Sequence, residues 1–161
     1  MILIGLGANL PSPAGPPAAT LSGALGRLKQ CGIAVLSVSS FYQTPAWPDP
    51  SEPPFVNAVA SVATRLQPAE LLALLHDVEA GFGRVRGRAN APRTLDLDLL
   101  DYDGRILASE IVLPHPRMVE RSFVLAPLAE IAPGWQHPLT RQSAGEMLAN
   151  LPDREAPKKL A

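Results

Sequence analysis

The alternation of leucine and aspartate in residues 95–99 constrains the fold of this chain more than any other feature of its sequence. Three leucines alternate there with Asp96 and Asp98, and such period-two alternation is typical of a β-strand with one buried face. On such a strand the leucines point into the core, whereas both carboxylates project from the opposite face, about 7 Å apart. Because two carboxylates at that distance repel each other, the pair predicts a cation between them.

An arginine-rich segment, residues 84–93, lies directly before this strand and supplies part of that positive charge. Its arginines are Arg84, Arg86, Arg88 and Arg93. The guanidinium group matches phosphate oxygens in bidentate geometry, and Mg²⁺ prefers carboxylate oxygens together with substrate phosphates and water. Aspartates and arginines together therefore predict a site for Mg²⁺ and a nucleoside triphosphate. A solvated basic loop beside a half-exposed strand is the alternative, although aspartate is disfavoured in strands.

The remaining sequence predicts a succession of strands and helices. Strands are predicted at residues 2–8, 33–42 and 55–65 in addition to the aspartate strand, and helices after Pro17 and Pro68, where proline suits the first turn. The order β-α-β-β-α-β is the ferredoxin-like arrangement. We therefore expect an α+β fold with an antiparallel sheet, helices on one face and short extra C-terminal helices. Residues 1–161 would form one domain, with a loose tail from about residue 151.

The composition restricts the partners and the location of the chain. The net charge of −1 argues against nucleic-acid binding through a positive field, and no run approaches the roughly 20 apolar residues that span a bilayer. The single cysteine, Cys31, excludes a disulfide framework and a cysteine-based zinc site. Because residues 1–10 lack the features of a targeting signal, we expect a cytoplasmic protein. We further expect a monomer.

Several residues have the chemistry to hold a flat heterocycle. Phe55 and Asn57 alternate onto one face of a predicted strand, Trp47 lies in the proline-rich loop 43–54, and Phe123 follows later in the chain. An asparagine beside aromatic rings can hydrogen-bond and stack such a ring. Taken singly, these residues are equally compatible with an ordinary core and surface.

The segment 113–123 adds His115, which lies between two prolines and is followed by Arg117 and Arg121. A lone loop histidine is more often structural than catalytic, but here it could face the same phosphates. Gly5-Leu6-Gly7 lacks the third glycine of a dinucleotide fingerprint, and the chain has no Walker A sequence. Phosphates would therefore be bound by arginines and metal. A metal-dependent phosphoesterase and a ferredoxin-like module that senses a small ligand remain as alternative functions.

Six segments carry a resemblance to a known family. They are GLGANL, SSFYQTPAW, PPFVNAVASVAT, EAGFGRVR, PRTLDLDLL and LPHPRMVERSFVLAPLAEIAP. Over almost all of residues 3–133 the chain resembles the 6-hydroxymethyl-7,8-dihydropterin pyrophosphokinase family of folate biosynthesis. That family transfers pyrophosphate from ATP to the pterin hydroxymethyl group and releases AMP. The resemblance implies this activity, two Mg²⁺ ions as cofactor, and ATP and the reduced pterin as partners, without nucleic acid or membrane.

The resemblance also implies a role for individual residues. Catalysis would involve Arg84, Arg93, Asp96 and Asp98, and the two aspartates would be the metal ligands. The ATP site would contain Leu72, His76, Glu79, Arg84, Arg86, Arg93, Leu99, His115 and Arg121. The pterin pocket would contain Thr44, Pro45, Trp47, Phe55, Asn57 and Phe123, with two aromatic side chains around the ring. The chain departs from the family pattern at Asn90-Ala91, where Trp-Gly is frequent, and at Pro116, where an aromatic residue is common.

Overall fold

The computed structural model describes residues 1–85, 87, 91–152 and 156–160. The strands are β1 (Ile2–Ala8), β2 (Ala34–Val38), β3 (Tyr42–Thr44), β4 (Phe55–Ala63), β5 (Asp96–Tyr102), β6 (Leu107–Ala108), β7 (Val112–Leu113) and β8 (Lys158–Lys159). The helices are α1 (Pro17–Gln30), α2 (Pro68–Gly81), α3 (Ser122–Ile131) and α4 (Ala144–Ala149), with a 3₁₀ turn at Met118–Glu120. The predicted α+β, ferredoxin-like order and the antiparallel sheet are confirmed.

The main sheet has the strand order β5-β1-β4-β3-β8, and β2 pairs with β4 as well. The sequence predicts a single strand over 33–42, but the structure divides it into β2 and β3, which follow the same edge of β4. Ser39 lies at the division: its Oγ accepts a hydrogen bond from Val59 N at 3.0 Å, and its N–H donates to Val59 O at 2.9 Å. A side-chain oxygen thus takes the place of a backbone partner, and the strand pairing is interrupted.

Helices cover both faces of the sheet. Helices α1 and α2 pack on one face through Leu21, Leu28, Leu71 and Leu75, all fully buried, as the sequence predicts. Each begins with the predicted proline at its first turn. The C-terminal helices α3 and α4 cover the other face and form a second apolar cluster with the sheet. The three layers leave both apolar faces of the sheet buried.

Strand β5 lies at one end of this sheet order and pairs with β1. Its leucines Leu97 and Leu99 join the core beneath α1 and α2, whereas Leu100 joins the cluster beneath α3 and α4. Alternation along the strand therefore turns Asp96 and Asp98 toward the second face. The strand begins at Asp96 and ends at Tyr102, so it contains both aspartates of the leucine–aspartate alternation at residues 95–99.

The C-terminal segment differs from the loose tail expected from the sequence. Lys158 and Lys159 form β8 and pair with β3, and Leu160 N donates to Phe41 O at 2.8 Å. The outer edge of β3 would otherwise present unpaired backbone groups, and the C-terminal strand satisfies them. Within the described ranges, no helix has both the length and the apolar character needed to cross a membrane.

Candidate active site

The two aspartates of β5 lie where the neighbouring strand β1 carries no side chains. Asp98 pairs with Gly5 and Asp96 with Gly7, and Gly7 pairs on its other side with Asn57 of β4. Directly paired residues share a face, so the glycines leave an open floor between the carboxylates and Asn57. A Cβ atom at Gly7 would lie 2.8 Å from Asn57 Oδ1. Gly5 and Gly7 lack the third glycine of a nucleotide motif, and their pairing with the aspartates across the sheet is the better explanation of these glycines.

Asp96 is held by two arginines of the arginine-rich segment. Its Oδ1 lies 2.9 Å from Arg84 Nη1, and its Oδ2 lies 3.2 Å from Arg93 Nη1. Arg84 is fixed in turn, since the same Nη1 donates to Leu95 O at 2.9 Å and to Glu79 Oε2 at 3.1 Å. Three of the four predicted catalytic side chains therefore form one charge network.

Glu79 supports this network from α2. The side chain is buried, and its Oε2 also accepts a hydrogen bond from Leu97 N at 3.0 Å. One buried carboxylate thus connects α2, the beginning of β5 and Arg84. Glu79, a predicted ATP-site residue, thus supports Arg84 and the start of β5. His76 lies exposed on the same helix, about one turn earlier.

Asn9 fixes the backbone of Arg93, and the sequence analysis missed it. Asn9 Oδ1 accepts from Arg93 N at 2.8 Å, while Asn9 N donates to Arg93 O at 3.1 Å. Its Nδ2 donates to Pro53 O at 3.0 Å, which connects the site to the proline-rich loop. Asn9 is buried. The only sequence signal for it is a polar residue directly after an apolar strand, and many such residues are ordinary turn residues.

Among the described residues, Asp98 is less completely compensated than Asp96. The nearest basic groups there are Arg121 Nη1 at 3.6 Å and His115 Nε2 at 3.9 Å from its carboxylate oxygens, which is too far for hydrogen bonds. Burial, and then the charge of Asp96, raises the pKa of Asp98 to about 6, against the opposing effect of three arginines. Burial and the nearby Arg121 lower the pKa of His115, so its positive charge is disfavoured.

The donor chemistry of this pair fits Mg²⁺. Both side chains are partly open, with 27% of Asp96 and 30% of Asp98 exposed. Burial first, and the charge of Asp96 second, raise the pKa of Asp98, and a bound cation would offset both effects. No group of three or more His, Cys, Asp or Glu side chains suited to a metal occurs among the residues that the structure describes. Two carboxylates completed by phosphate oxygens and water are the usual surroundings of Mg²⁺ in phosphate-binding enzymes.

A cavity of about 240 Å³ opens beside Asp98. Its apolar lining comes from Leu72, Leu99, Ile111 and Val112, and its other lining residues are Asp98, Glu110, His115 and Pro116. Leu72, Leu99 and His115 are three of the predicted ATP-site residues, and the cavity brings them together. Residues 110–112 were missed, because a short segment that leads into the two-residue strand β7 carries no sequence pattern that distinguishes it.

The predicted pterin residues lie on the other side of the aspartates. Asn57 Nδ2 donates to Thr44 Oγ1 at 3.1 Å, and both side chains are buried. Phe55 pairs with Thr44 across the strands, Pro45 follows β3 as an exposed residue, and the Trp47 side chain in the proline-rich loop is 62% exposed. An exposed tryptophan is a side chain available for stacking.

Arginines connect the two halves of the site. The guanidinium carbon of Arg93 lies 5.9 Å from the centroid of the Phe55 ring, and that of Arg121 lies 5.6 Å from the centroid of Phe123. Arg93 therefore lies near Phe55 and Asp96, and Arg121 lies near Phe123 and Asp98. In each case the ring is a predicted pterin-binding residue and the aspartate is a predicted metal ligand. The predicted ATP-site residue Arg86 lies outside the described residues, as do Arg88 and Asn90.

The sheet presents paired aspartates among arginines, with a cavity beside them and aromatic rings against two of the arginines. Such a site is suited to the transfer of phosphate-bearing groups. Comparison with known sequences gives the particular family. The family described as 7,8-dihydro-6-hydroxymethylpterin-pyrophosphokinase matches residues 3–133. The chain belongs to this family and is a pyrophosphokinase of folate biosynthesis, which confirms the resemblance seen in the sequence.

Individual relatives agree with this assignment. A 2-amino-4-hydroxy-6-hydroxymethyldihydropteridine pyrophosphokinase of Methylorubrum extorquens is 45% identical over 132 residues, which are 81% of this chain and 81% of the relative. One of the same name from Synechocystis is 43% identical over 138 residues, 84% of this chain and 68% of the relative. The crystal structure of Plasmodium falciparum HPPK-DHPS has the same fold, with a TM-score of 0.71 and 12% identity over 92% of this chain and 40% of that one.

Proposed function

We propose that the enzyme transfers pyrophosphate from ATP to 6-hydroxymethyl-7,8-dihydropterin at the Asp96–Asp98 pair and uses Mg²⁺ to do so. One observation carries this proposal: strand β5, with both carboxylates, has the cavity at residues 110–116 beside it and is followed across the sheet by the strands that carry Thr44, Phe55 and Asn57. An ATP molecule anchored in the cavity and a pterin bound near Thr44, Phe55 and Asn57 would meet at the aspartates. The names of the relatives, which specify a pyrophosphokinase of this pteridine, support the same substrates.

We assign the phosphate-binding role to the arginines around the aspartates. Arg84, Arg93 and Arg121 have side chains that are 14–19% exposed, so each guanidinium can reach a bound phosphate from a largely desolvated position. Charge-assisted bidentate contacts are strong in such surroundings. Mg²⁺, when bound by Asp96 and Asp98, would supply further charge neutralisation and would lower the pKa of the attacking alcohol.

We infer an in-line displacement at the β-phosphorus of ATP. The pterin hydroxymethyl oxygen would form the new bond to this phosphorus, the bond to the α-phosphate oxygen would break, and AMP would leave while the alcohol loses its proton. The protein would contribute mainly by orientation and charge, as is usual for phosphoryl transfer. Asn57 would hydrogen-bond the edge of the pterin, and Phe55 and Phe123 would stack on it once the arginines engage phosphates.

Product analysis with aspartate variants tests the proposal. Incubation with ATP, Mg²⁺ and the reduced pterin should yield AMP and the pterin diphosphate, and D96A or D98A should lower kcat by more than about 100-fold, the scale on which single electrostatic groups act in catalysis. D77A removes an exposed aspartate of α2 and should keep full activity. Release of ADP would indicate a simple kinase, hydrolysis without pterin a phosphoesterase, and no conversion a binding module.

We also propose that ATP and the reduced pterin are bound by a monomer in the cytoplasm. Size-exclusion chromatography with light scattering tests the monomer, since a mass of about twice 17.1 kDa would contradict it.

A further inference from the structure

The carboxylate of Glu130, near the end of α3, connects three separate parts of the fold. Its Oε1 accepts hydrogen bonds from Ser40 N at 3.0 Å and Ser40 Oγ at 2.8 Å, and its Oε2 accepts one from the Tyr42 hydroxyl at 2.6 Å. Lys159 Nζ of β8 lies 3.7 Å from the same carboxylate. We call Glu130, Ser40, Tyr42 and Lys159 the Glu130 cluster. It contains none of the residues assigned to ATP, metal or pterin.

The interactions within this cluster are electrostatically strong. Hydrogen bonds from Ser40 and Tyr42, together with the charge of Lys159, lower the pKa of Glu130 against the effect of burial. Burial and the neighbouring carboxylate raise the pKa of Tyr42 to about 12. The cluster therefore contains a fixed carboxylate and a protonated phenol at neutral pH, and a hydrogen bond to a charged acceptor is stronger than a neutral one.

The Glu130 cluster fixes β3, the short strand that carries Thr44 of the proposed pterin pocket. Strand β3 has three residues, Tyr42–Thr44. At one end Tyr42 bonds to Glu130, and at the other end Thr44 accepts the hydrogen bond from Asn57. The chain then enters the proline-rich loop, in which the structure has no helix or strand until Phe55. The positions of Thr44 and Trp47 therefore depend on how firmly β3 is fixed.

The C-terminal strand secures β3 from its outer side. Tyr42 pairs with Lys159 and Gln43 with Lys158, and Leu160 packs against the apolar core beneath α1 and α2. This segment lies outside residues 3–133, the part of the chain that the family matches. Through the contact between Lys159 and Glu130, a segment outside the family match is connected to the pterin side of the site.

We propose that Glu130 is a positioning residue for the pterin pocket, which it stabilises through Tyr42 and β3 with help from the C-terminal strand. The inference rests on the proposed assignment of Thr44 and Asn57 to the pterin. Within the sheet, β1 and β4 separate β5 from β3, and along α3 Glu130 lies nine residues after the N-cap residue Arg121. Loss of the cluster should therefore weaken pterin binding selectively.

Steady-state kinetics on the full chain separate this role from a merely structural one. E130A should raise KM for the pterin about tenfold, equivalent to ~1.4 kcal/mol of binding, and leave KM for ATP within about twofold. Y42F should act in the same direction and more weakly. E130Q, which keeps an acceptor for Ser40 and a polar partner for Tyr42, should restore most of the affinity. Simple loss of folded enzyme would lower kcat and leave both KM values unchanged.

A matched lysine pair tests the contribution of the C-terminal strand. K159E places two like charges together and should raise KM for the pterin about threefold, in keeping with the small free energy of a surface ion pair. K158E makes the same charge change one residue away, where Lys158 is exposed, and should have no effect. These variants, with Y42F, also keep the test valid if E130A does not fold.

N57A distinguishes failure of this inference from failure of the proposed site. If N57A weakens pterin binding but E130A, Y42F and K159E do not, the pterin pocket is correct and the positioning role of Glu130 is wrong. If N57A has no effect while E130A raises the pterin KM, the pocket assignment is wrong and with it the route proposed through β3. Equal increases in the KM values for ATP and pterin in E130A would also overturn the inference.

Discussion

We expect Asp98 to lower the stability of the metal-free protein at neutral pH, because it is buried beside the charge of Asp96. Its folded-state pKa, raised to about 6 by burial and by Asp96, lies above the ordinary value of 3.8. A carboxyl with a raised folded pKa costs stability above that pKa, and the cost disappears as the pH falls toward the unfolded value. The buried carboxylate of Asp98 thus reduces folding stability but provides a negative charge that can bind a cation.

D98N should therefore melt at a higher temperature than the wild type at pH 7.5 in EDTA. The difference should be a few degrees, because ~1 kcal/mol moves the Tm of a chain of this size by about 2–4 °C, and it should shrink between pH 6 and pH 4. D77N is the control, with little change expected at any pH. A destabilised D98N at pH 7.5 would contradict the proposed electrostatic cost.

Gly7 should be intolerant of even one added methyl group. A Cβ there would lie 2.8 Å from Asn57 Oδ1, in a buried amide that is also bonded to Thr44. G7A should cost about 1–3 kcal/mol in unfolding free energy, as overpacking does, and should weaken pterin binding by displacing Asn57. G26A is the matched control, since nothing lies within 4 Å of its added Cβ in α1 and alanine favours a helix. Its Tm should rise, and equal Tm values for the two variants would refute the argument.

At the level of elements, local sequence patterns predicted those strands and helices whose positions depend only on their own residues. The leucine–aspartate alternation located β5, and Pro17 and Pro68 located the starts of α1 and α2. The division of the 33–42 strand was not predictable, because it depends on a hydrogen bond between Ser39 and Val59, 20 residues later. Likewise, β8 forms because the outer edge of β3 is available for pairing. The sequence of the tail contains no information about that edge.

The site follows the same rule. Charged and aromatic residue types pointed to Asp96, Arg93 and Phe55, because their chemistry is unusual in its local surroundings. Asn9 and residues 110–112 act through contacts with distant segments, and nothing in their own neighbourhood distinguishes them. The sequence also did not determine which face of the sheet α3 and α4 would cover, because an amphipathic helix does not specify the side of a sheet on which it packs.

On the scale of the whole molecule, Arg93 joins the two proposed substrate sites and should make binding of the two substrates interdependent. Its guanidinium contacts Asp96 and lies over the Phe55 ring, while Asn9 ties its backbone to the end of β1 and to the proline-rich loop. Phosphates that attract this guanidinium would uncover the ring on which the pterin is expected to stack. Nucleotide binding would thereby favour pterin binding, and the reverse must hold to the same extent.

Calorimetric titration of the pterin, with and without a non-hydrolysable ATP analogue and Mg²⁺, measures this coupling. The analogue should tighten pterin binding by about two- to fivefold in the wild type, the factor that corresponds to a cation–π contact of ~0.5–1 kcal/mol. R93A should bind the pterin without nucleotide as well as or better than the wild type, and the analogue should then add little. R117A, an exposed arginine paired with Glu120, should retain the full effect. The same increase in R93A and the wild type would mean that the two sites communicate by another route, and that the contact between Arg93 and Phe55 has no part in ordering the substrates.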